Sequence, residues 1–236
     1  MWNLAPSLEL EFGQNRLSDT VAKETETATS ASESSTKQRI LRVSADLFME
    51  NGYAATSVRQ VAELAQVSQS ALYYHVSSKA HLLRMLHEEF INDMLDRLLD
   101  VVAHDLSPTE KLRQIIHVTL SIIDKHQAEV TVFLREQHSL PLDMRANVIA
   151  QRDRVDDLVD GVLRAGIKSG DFRSDLDIRI VRLGILGMCN WAYQWYRPGH
   201  GLTIDEISDQ FCELVLTALT ASEVTGRSAS RTSRAR

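Results

Sequence analysis

The fold of this chain is decided by the stretch TSVRQVAELAQVSQSALYYHVSSK, residues 56–79. It predicts two short helices joined by a tight turn. Ser57 and Gln60 have the spacing of a reciprocal capping box at the start of the first helix, and Ser68 is a favoured cap for the second. Two helices in this arrangement form a helix-turn-helix, whose second helix enters the major groove in proteins that read DNA sequence.

A third helix is predicted immediately upstream, over residues 37–51. Its apolar side chains recur at three- and four-residue spacing, and Gly52 follows in a position typical of helix ends. In the second helix of the motif, Leu72 and Val76 lie four residues apart and are expected to pack inward. A helix this short buries too little surface to be stable alone, so we expect a three-helix bundle over residues 36–81.

The order of these residues resembles the DNA-binding domain of the TetR family of bacterial transcriptional regulators. The match has no gap from Ala45 to Lys79 and reads AxLFxxxGYxxTSVxxVAxxAxVSxxxLYYHVxxK, which is far more specific than a bare helix-turn-helix. Two positions depart from the family pattern: Gln66 stands where glycine is usual, and Val76 stands where phenylalanine is commoner. A non-glycine residue in a left-handed turn costs about 1 kcal/mol, so the turn is strained but allowed.

The second helix of the motif carries most of the candidate DNA-binding residues. Gln69 has the donor and the acceptor needed at a base edge, and the methyl group of Ala71 suits a thymine methyl. Hydroxyl, imidazole and ammonium groups suit phosphate oxygens, which position a protein without specifying sequence. The resemblance implies that Ser57 and Arg59, at the start of the preceding helix, contact the DNA backbone. It also implies that Lys37, on the upstream helix 37–51, adds a positive charge. The predicted set is Lys37, Ser57, Arg59, Gln69, Ser70, Ala71, Tyr73, Tyr74, His75 and Lys79. The alternative is that the Tyr-Tyr-His run packs as an ordinary aromatic corner.

Composition predicts an all-α protein in two parts. Four prolines and ten glycines in 236 residues leave room for long uninterrupted helices, of which we expect about nine. An N-terminal helix-turn-helix domain is predicted over residues 36–81, and a helical ligand-binding and dimerisation domain over 82–221. Residues 1–35 and the basic tail 222–236 lack a core pattern and are expected to be disordered.

The net charge of −6 is unevenly distributed. Residues 36–81 carry five basic and three acidic side chains, whereas residues 82–221 carry 15 basic and 22 acidic ones. Only the helix-turn-helix block and the tail are positive, so any surface for nucleic acid must be local.

The sequence lacks the motifs that are typical of membrane proteins, metal-binding proteins and common enzyme families. There is no apolar run of the roughly 20 residues that span a bilayer and no signal peptide, so a cytoplasmic protein with no membrane partner is expected. The two cysteines lie in apolar surroundings, as buried thiols do in a reducing compartment. Histidines are scattered rather than spaced for zinc, and glycine-rich phosphate loops and nucleophile elbows are lacking. We therefore expect a protein that is not an enzyme and has no catalytic residue, metal or cofactor.

Later helices have clear start and stop signals. Residues 107–110, SPTE, combine a cap, a proline at the first helical position and a glutamate at the third. A helix is expected over residues 127–138, and a long helix after it ends at Gly170. The next helix is expected over residues 174–197, and Thr203 caps the last.

The last two helices are apolar on more than one face. A helix of this kind must be buried on both sides, so one side is expected to meet its own subunit and the other a partner. In the TetR family these helices pair with their copies as a four-helix bundle. The resemblance therefore implies a homodimer that presents two recognition helices to a palindromic operator in double-stranded DNA. The alternative is a monomer with a covered core.

The helical body is expected to bind a small-molecule effector, because bundle cores host ligands between facing helices. Residues 187–201, GMCNWAYQWYRPGHG, resemble the corresponding segment of TetR regulators of fatty-acid and steroid breakdown, several of which respond to coenzyme A thioesters. Arginines would pair with the phosphates of such a ligand. The predicted ligand residues are Phe133, Leu134, Arg135, Arg152, Arg182, Met188, Trp191, Trp195 and Arg197. Aromatic clusters at a dimer seam also serve as packing alone.

These patterns together predict a transcriptional repressor that a small molecule releases from its operator. The first choice of effector is an acyl- or steroid-derived coenzyme A thioester. A regulator that responds to a drug or a free acid is one alternative. A helical protein-interaction scaffold without DNA binding is the alternative from a different functional class.

Overall fold

The computed structural model describes residues 35–220, and the predicted disorder of both ends lies outside this range. Within it the chain forms nine α-helices, one short 3-10 turn and no strand, which confirms the predicted all-α fold. The helices are α1 (35–51), α2 (Val58–Leu64), α3 (Gln69–His75), α4 (Lys79–Ala103), α5 (Pro108–Lys125), α6 (Gln127–Glu136), α7 (Leu142–Ser169), α8 (Ile178–Trp195) and α9 (Ile204–Thr220).

The chain divides into two compact units, with the boundary between Leu82 and Leu83. In the first unit, α1 supplies Ile40 and Phe48 to a core that also holds Leu72 and Val76, the inward pair predicted for the recognition helix. Leu72 and Val76 are 0% and 1% exposed. This small core holds the short helices α2 and α3, which are too short to be stable without it.

Helix α5 is the central helix of the second unit. It begins with the predicted capping box, in which the Ser107 side chain accepts from the Glu110 backbone and the Glu110 side chain accepts from the Ser107 backbone. Apolar residues cover most of its circumference, and α5 packs against α7, α8 and α9. Because other helices pack against α5 on several sides, α5 needs apolar residues on each of those faces.

The end of α7 depends on two glycines. Gly170 adopts the left-handed conformation that ends the helix, with φ of 86°, as predicted. One turn earlier, the ring of Phe172 lies against Gly166, where a Cβ atom would stand 2.1 Å from the ring. The Phe172 amide also donates to the Gly166 carbonyl at 3.0 Å. Only glycine leaves room for the buried ring at this position.

Three predicted helix boundaries were wrong. Helix α8 is capped by Asp177, whose side chain accepts from the Ile180 amide, so it begins at Ile178 instead of near Ser174, and it ends at Trp195 instead of residue 197. Helix α6 ends at Glu136 and a 3-10 turn, Gln137–Ser139, follows it. Helix ends fray, and differences of one or two residues, as at the ends of α6 and α8, are common. The Thr203 cap is present, paired with Glu206.

Within residues 35–220, no helix combines the length and the apolar character needed to cross a membrane.

Candidate nucleic-acid interface and ligand cavity

The turn between α2 and α3 has the geometry that the motif requires. Gln66 has a φ of 53°, the left-handed conformation expected at this position of the turn. Ser57 and Gln60 form the predicted capping box of α2, and the Ser68 side chain accepts from the Ala71 amide to cap α3. These local hydrogen bonds determine where α3 begins and hence which of its side chains face outward.

The outward face of α3 is polar and aromatic. Gln69 and Ser70 are exposed, and Tyr73 and Tyr74 are 57% and 74% exposed, so the two tyrosines do not form a buried aromatic corner. The His75 ring is half-buried and stands nearly perpendicular to the Tyr74 ring, with 5.0 Å between the ring centres. Hydroxyl and amide groups are thereby presented on one surface, as contacts with base edges and phosphates require.

The predicted contact residues outside α3 are partly engaged in local interactions. The Ser57 hydroxyl belongs to the α2 capping box, although its side chain remains exposed. Arg59 forms an ion pair with Glu63 one turn later at 2.9 Å, and both side chains are mostly exposed. An exposed pair of this kind contributes little stability and exchanges readily for another anion. Lys37 is exposed on α1.

Lys79 differs from the other predicted phosphate contacts. Its ammonium donates hydrogen bonds to the backbone carbonyls of Tyr53, Ala54 and Thr56 at 2.9, 3.1 and 3.0 Å. An ammonium has three protons, so these bonds use all of its donors. The structure therefore places the Lys79 ammonium against the backbone of the loop between α1 and α2, a contact that the sequence did not indicate.

The second unit contains a cavity of about 230 Å³. Its walls come from α4, α5, α6, α7, α8 and the 3-10 turn after α6, and they are mostly apolar with six polar or charged residues. The lining residues are His87, Phe90, Ile91, Met94, Thr119, Ile122, Ile123, Val130, Phe133, Leu134, Gln137, Arg152, Val155, Asp156, Leu183, Leu186, Gly187 and Asn190. An apolar cavity with a few polar groups is the usual form of a small-molecule site.

His87 is the buried titratable group of this cavity. Burial lowers its pKa from 6.5 to about 4, and the positive charge of Arg152 adds to the shift. The imidazole is therefore neutral near pH 7. Nearby, burial raises the pKa of Asp156, although Arg182 and Arg152 oppose that shift.

Three of the nine predicted ligand residues line the cavity: Phe133, Leu134 and Arg152. The other six do not line this cavity. Trp191 and Trp195 are 61% and 47% exposed on the outer side of α8. Arg197, beyond the end of α8, donates to the backbone carbonyl of Tyr196. The remaining three are Arg135, Arg182 and Met188.

Arg182 is committed to an ion-pair cluster between α7 and α8. Its guanidinium donates to Asp160 at 2.7 Å and to Asp156 at 3.3 Å, and its side chain is only 13% exposed. Arg164 adds a third contact, to Asp160 at 3.3 Å. A ligand phosphate would have to displace two carboxylates from Arg182 in order to bind it.

The sequence did not single out His87 or Asp156 as cavity residues, whereas Asn190 belongs to the segment 187–201 that was associated with the ligand site. A signal for His87 was present, because it interrupts the apolar stripe of α4 between Leu83 and Phe90. A polar residue at helical spacing within an apolar stripe points toward the same interior as its neighbours.

The outer faces of α8 and α9 expose several large apolar side chains. On α8 these are Ile180, Leu183, Trp191 and Trp195, and on α9 Leu214 is 64% exposed. The other sides of both helices are buried, including Ile185 and Cys189 on α8 and Val215 and Leu219 on α9. Exposed apolar patches of this kind mark interaction surfaces.

Comparison with known proteins accounts for both units. Residues 40–86 match the family described as bacterial regulatory proteins, tetR family, and residues 105–219 match the tetracyclin repressor-like C-terminal domain. The HTH-type transcriptional repressor KstR2 of Mycobacterium tuberculosis is 30% identical over 79% of this chain and 94% of that repressor. KstR2 of Rhodococcus jostii is 29% identical over 78% of this chain and 90% of its own length.

Two further similarities extend this result. The fatty acid metabolism regulator protein of Bacillus subtilis is 26% identical over 77% of this chain and 94% of that protein. The solved structure of the ketosteroid transcriptional regulator KstR2 of Mycobacterium tuberculosis superimposes with a TM-score of 0.72 at 28% identity, covering 79% of this chain and 95% of that one. All of these relatives are named as regulators, not enzymes. The chain belongs to the TetR family of bacterial transcriptional regulators.

Proposed function

We propose that this protein is a transcriptional repressor that binds a palindromic operator as a dimer and is released by a small-molecule effector. The observation that carries the proposal is the exposed row of Gln69, Tyr73 and Tyr74 on a helix whose start is set by the Ser68 cap. In this arrangement Gln69 reads a base edge in the major groove, and the tyrosine hydroxyls bind phosphates. A protein-interaction scaffold would have no need of this combination.

The dimer would form through α8 and α9. Their exposed apolar faces are continuous with buried faces of the same helices, so a second copy could bury them in a symmetric bundle. Gly184 lies on the exposed side of α8, where a Cβ would meet nothing in the same chain. Two copies related by a two-fold axis present two α3 helices to the two halves of a palindrome.

The effector we propose is a coenzyme A thioester of a lipid or steroid fragment. The cavity would take the apolar acyl or ring part, and Arg152 in its wall would lie near the anionic part. The names of the relatives, a ketosteroid regulator and a fatty acid metabolism regulator, favour this class. A free acid or a hydrophobic drug is the second choice.

Release of the protein from its operator would follow from a difference in the effector's affinity for two conformations of the protein. An effector that binds one conformation of the body better than the DNA-bound conformation shifts the population toward the first. Helix α4 is the element that would transmit the shift, because it begins at Lys79 in the first unit and supplies Phe90 and Met94 to the cavity wall.

A mobility-shift assay with the DNA upstream of the protein's own gene tests this proposal. The complex should form at moderate salt and dissociate when an acyl coenzyme A thioester is titrated in, but not with coenzyme A alone. Release by the free acid at equal concentration would replace the thioester with the free acid as effector. Absence of any shift with the upstream DNA would contradict the repressor function.

A further inference from the structure

His87 is the most deeply buried polar side chain in the cavity wall. It is 1% exposed, lies on α4 and lines the cavity. Its ring is packed between two phenylalanines. The centre of the Phe133 ring lies 4.3 Å away with the planes tilted by 32°, and the Phe90 ring lies 5.2 Å away and nearly perpendicular. The imidazole is therefore held in one orientation.

Nδ1 of His87 is buried and has no hydrogen-bond partner among the described protein atoms. Two other polar residues of the cavity wall already have hydrogen-bond partners. The Thr119 hydroxyl donates to the Ile115 carbonyl at 2.8 Å, and the Gln137 amide donates to the Leu134 carbonyl at 3.3 Å. Buried polar groups in proteins are nearly always hydrogen-bonded, so an unpaired one in a cavity wall calls for a specific partner.

The neutral imidazole determines what that partner can be. One ring nitrogen carries a proton and donates, and the other accepts. A ring of this kind pairs with a keto oxygen or with a hydroxyl group. It does not pair with a saturated hydrocarbon, and it offers no charge to a carboxylate or phosphate. Most other residues of the cavity wall, such as Ile122 and Val130, are apolar and offer a ligand no hydrogen bond.

We propose that His87 determines the specificity of the cavity by hydrogen-bonding a keto or hydroxyl oxygen carried on the otherwise apolar body of the effector. A ligand that lacks this oxygen leaves the imidazole unpaired and is rejected for that reason. The inference deepens the proposed function, since it takes this cavity to be the effector site. It narrows the effector from any apolar acyl group to one whose apolar body carries a keto or hydroxyl oxygen.

Packing alone is the competing explanation for His87. Phenylalanine would serve equally well between Phe90 and Phe133, and it would leave no unpaired nitrogen. The two explanations differ in what happens when the nitrogen is removed. A packing residue tolerates an apolar replacement with no change in ligand preference, whereas a specificity residue loses the preference and keeps the fold.

The test compares two ten-carbon bicyclic probes, 2-decalone and decalin, which differ in one keto oxygen. The full-length protein should bind 2-decalone at least about tenfold more tightly than decalin, a difference of about 1.4 kcal/mol. His87→Leu should bind both probes alike and melt at a temperature no lower than the wild type, because it removes a buried unpaired group. His87→Gln keeps a donor and an acceptor and should retain part of the preference.

A second measurement needs no variant that might misfold. In wild-type protein labelled with nitrogen-15 at histidine, the ring nitrogens of His87 should shift when 2-decalone is added and stay in place with decalin. Equal affinity of the wild type for the two probes, lack of 2-decalone binding, or a preference preserved in His87→Leu would each overturn the inference.

The probes contain no coenzyme A and the assay contains no DNA. A failed operator-release experiment with a preserved keto preference therefore contradicts the proposed function alone. Operator release by a thioester without the keto preference contradicts the role of His87 alone.

Discussion

The ammonium of Lys79 lies 4.6 Å from the centre of the Tyr53 ring, and the same nitrogen donates to the Tyr53 carbonyl at 2.9 Å. Lys79 begins α4, and Tyr53 lies in the loop between α1 and α2. The pair thus joins the first turn of the long helix to the loop that precedes the helix-turn-helix. Cation–π contact and a charge-assisted hydrogen bond stabilise the same arrangement.

Replacing Lys79 by methionine should destabilise the first unit. Three carbonyls lose their donor, so we expect the free energy of unfolding to fall by about 1–3 kcal/mol in a thermal or urea titration. Arg42→Ala is the control, since it removes one positive charge from an exposed site on α1. If Lys79 instead contacts phosphate, the variant will keep its stability, and the slope of operator affinity against salt will fall by about 1.

Replacing Gln69 by alanine should lower operator affinity by about 1–3 kcal/mol and relax the sequence preference at one position of each half-site. The loss comes from the missing bidentate contact with a base. Tyr74→Phe is the contrasting variant, because loss of a phosphate contact should weaken all DNA sequences alike. Competition binding against operators mutated one base at a time measures both effects. An unchanged preference in Gln69→Ala would remove this residue from the recognition surface.

An aspartate at Leu214 should prevent dimerisation without unfolding the chain. Leu214 is 64% exposed in the single chain, so the charge costs nothing there but would be buried and unpaired in the proposed seam, at a cost of several kcal/mol. Sedimentation should show a monomer with operator affinity lost. Ile149→Asp makes the same kind of change at a 55% exposed site on α7 and should leave the dimer intact. A dimeric Leu214→Asp protein would place the interface elsewhere.

The buried imidazole of His87 predicts a loss of stability in mild acid. Its pKa is about 4 in the folded protein and 6.5 in an unfolded chain. Between these values the unfolded state binds a proton that the folded state does not, so stability falls as the pH drops from 6.5 toward 4. The full effect is on the order of 3 kcal/mol. Arg152 and Asp156 are the other charged groups in the same cavity wall.

Urea titrations at pH 7 and pH 5 measure this effect, with His87→Leu as the reference. The variant should lose less stability between the two pH values than the wild type does, and the difference belongs to His87 because the other seven histidines are unchanged. Equal losses in the two proteins would mean that His87 is hydrated or paired in the folded state.

The sequence by itself determined the local structure of this protein. The cap at Ser57, the cap at Ser68 and the left-handed Gln66 are properties of a few neighbouring residues, so their pattern predicts α2, the turn and α3 without knowledge of the rest of the chain. Exposure of Gln69 follows from the same periodicity, because Leu72 faces the opposite, buried side. The outward orientation of the candidate residues on α3 was therefore predictable from the sequence.

Only the tertiary structure decided which side chains share the cavity and which charges are already paired. Trp191 was predicted to contact the ligand but lies on the outer side of α8, whereas His87 lines the cavity. Arg182 and Lys79 carry the charge that a phosphate needs, yet aspartates on α7 and carbonyls of a loop bind them. A helical pattern shows that a face is buried, but the facing helix and the nearest ion partner come from residues distant in sequence, and periodicity holds no information about them.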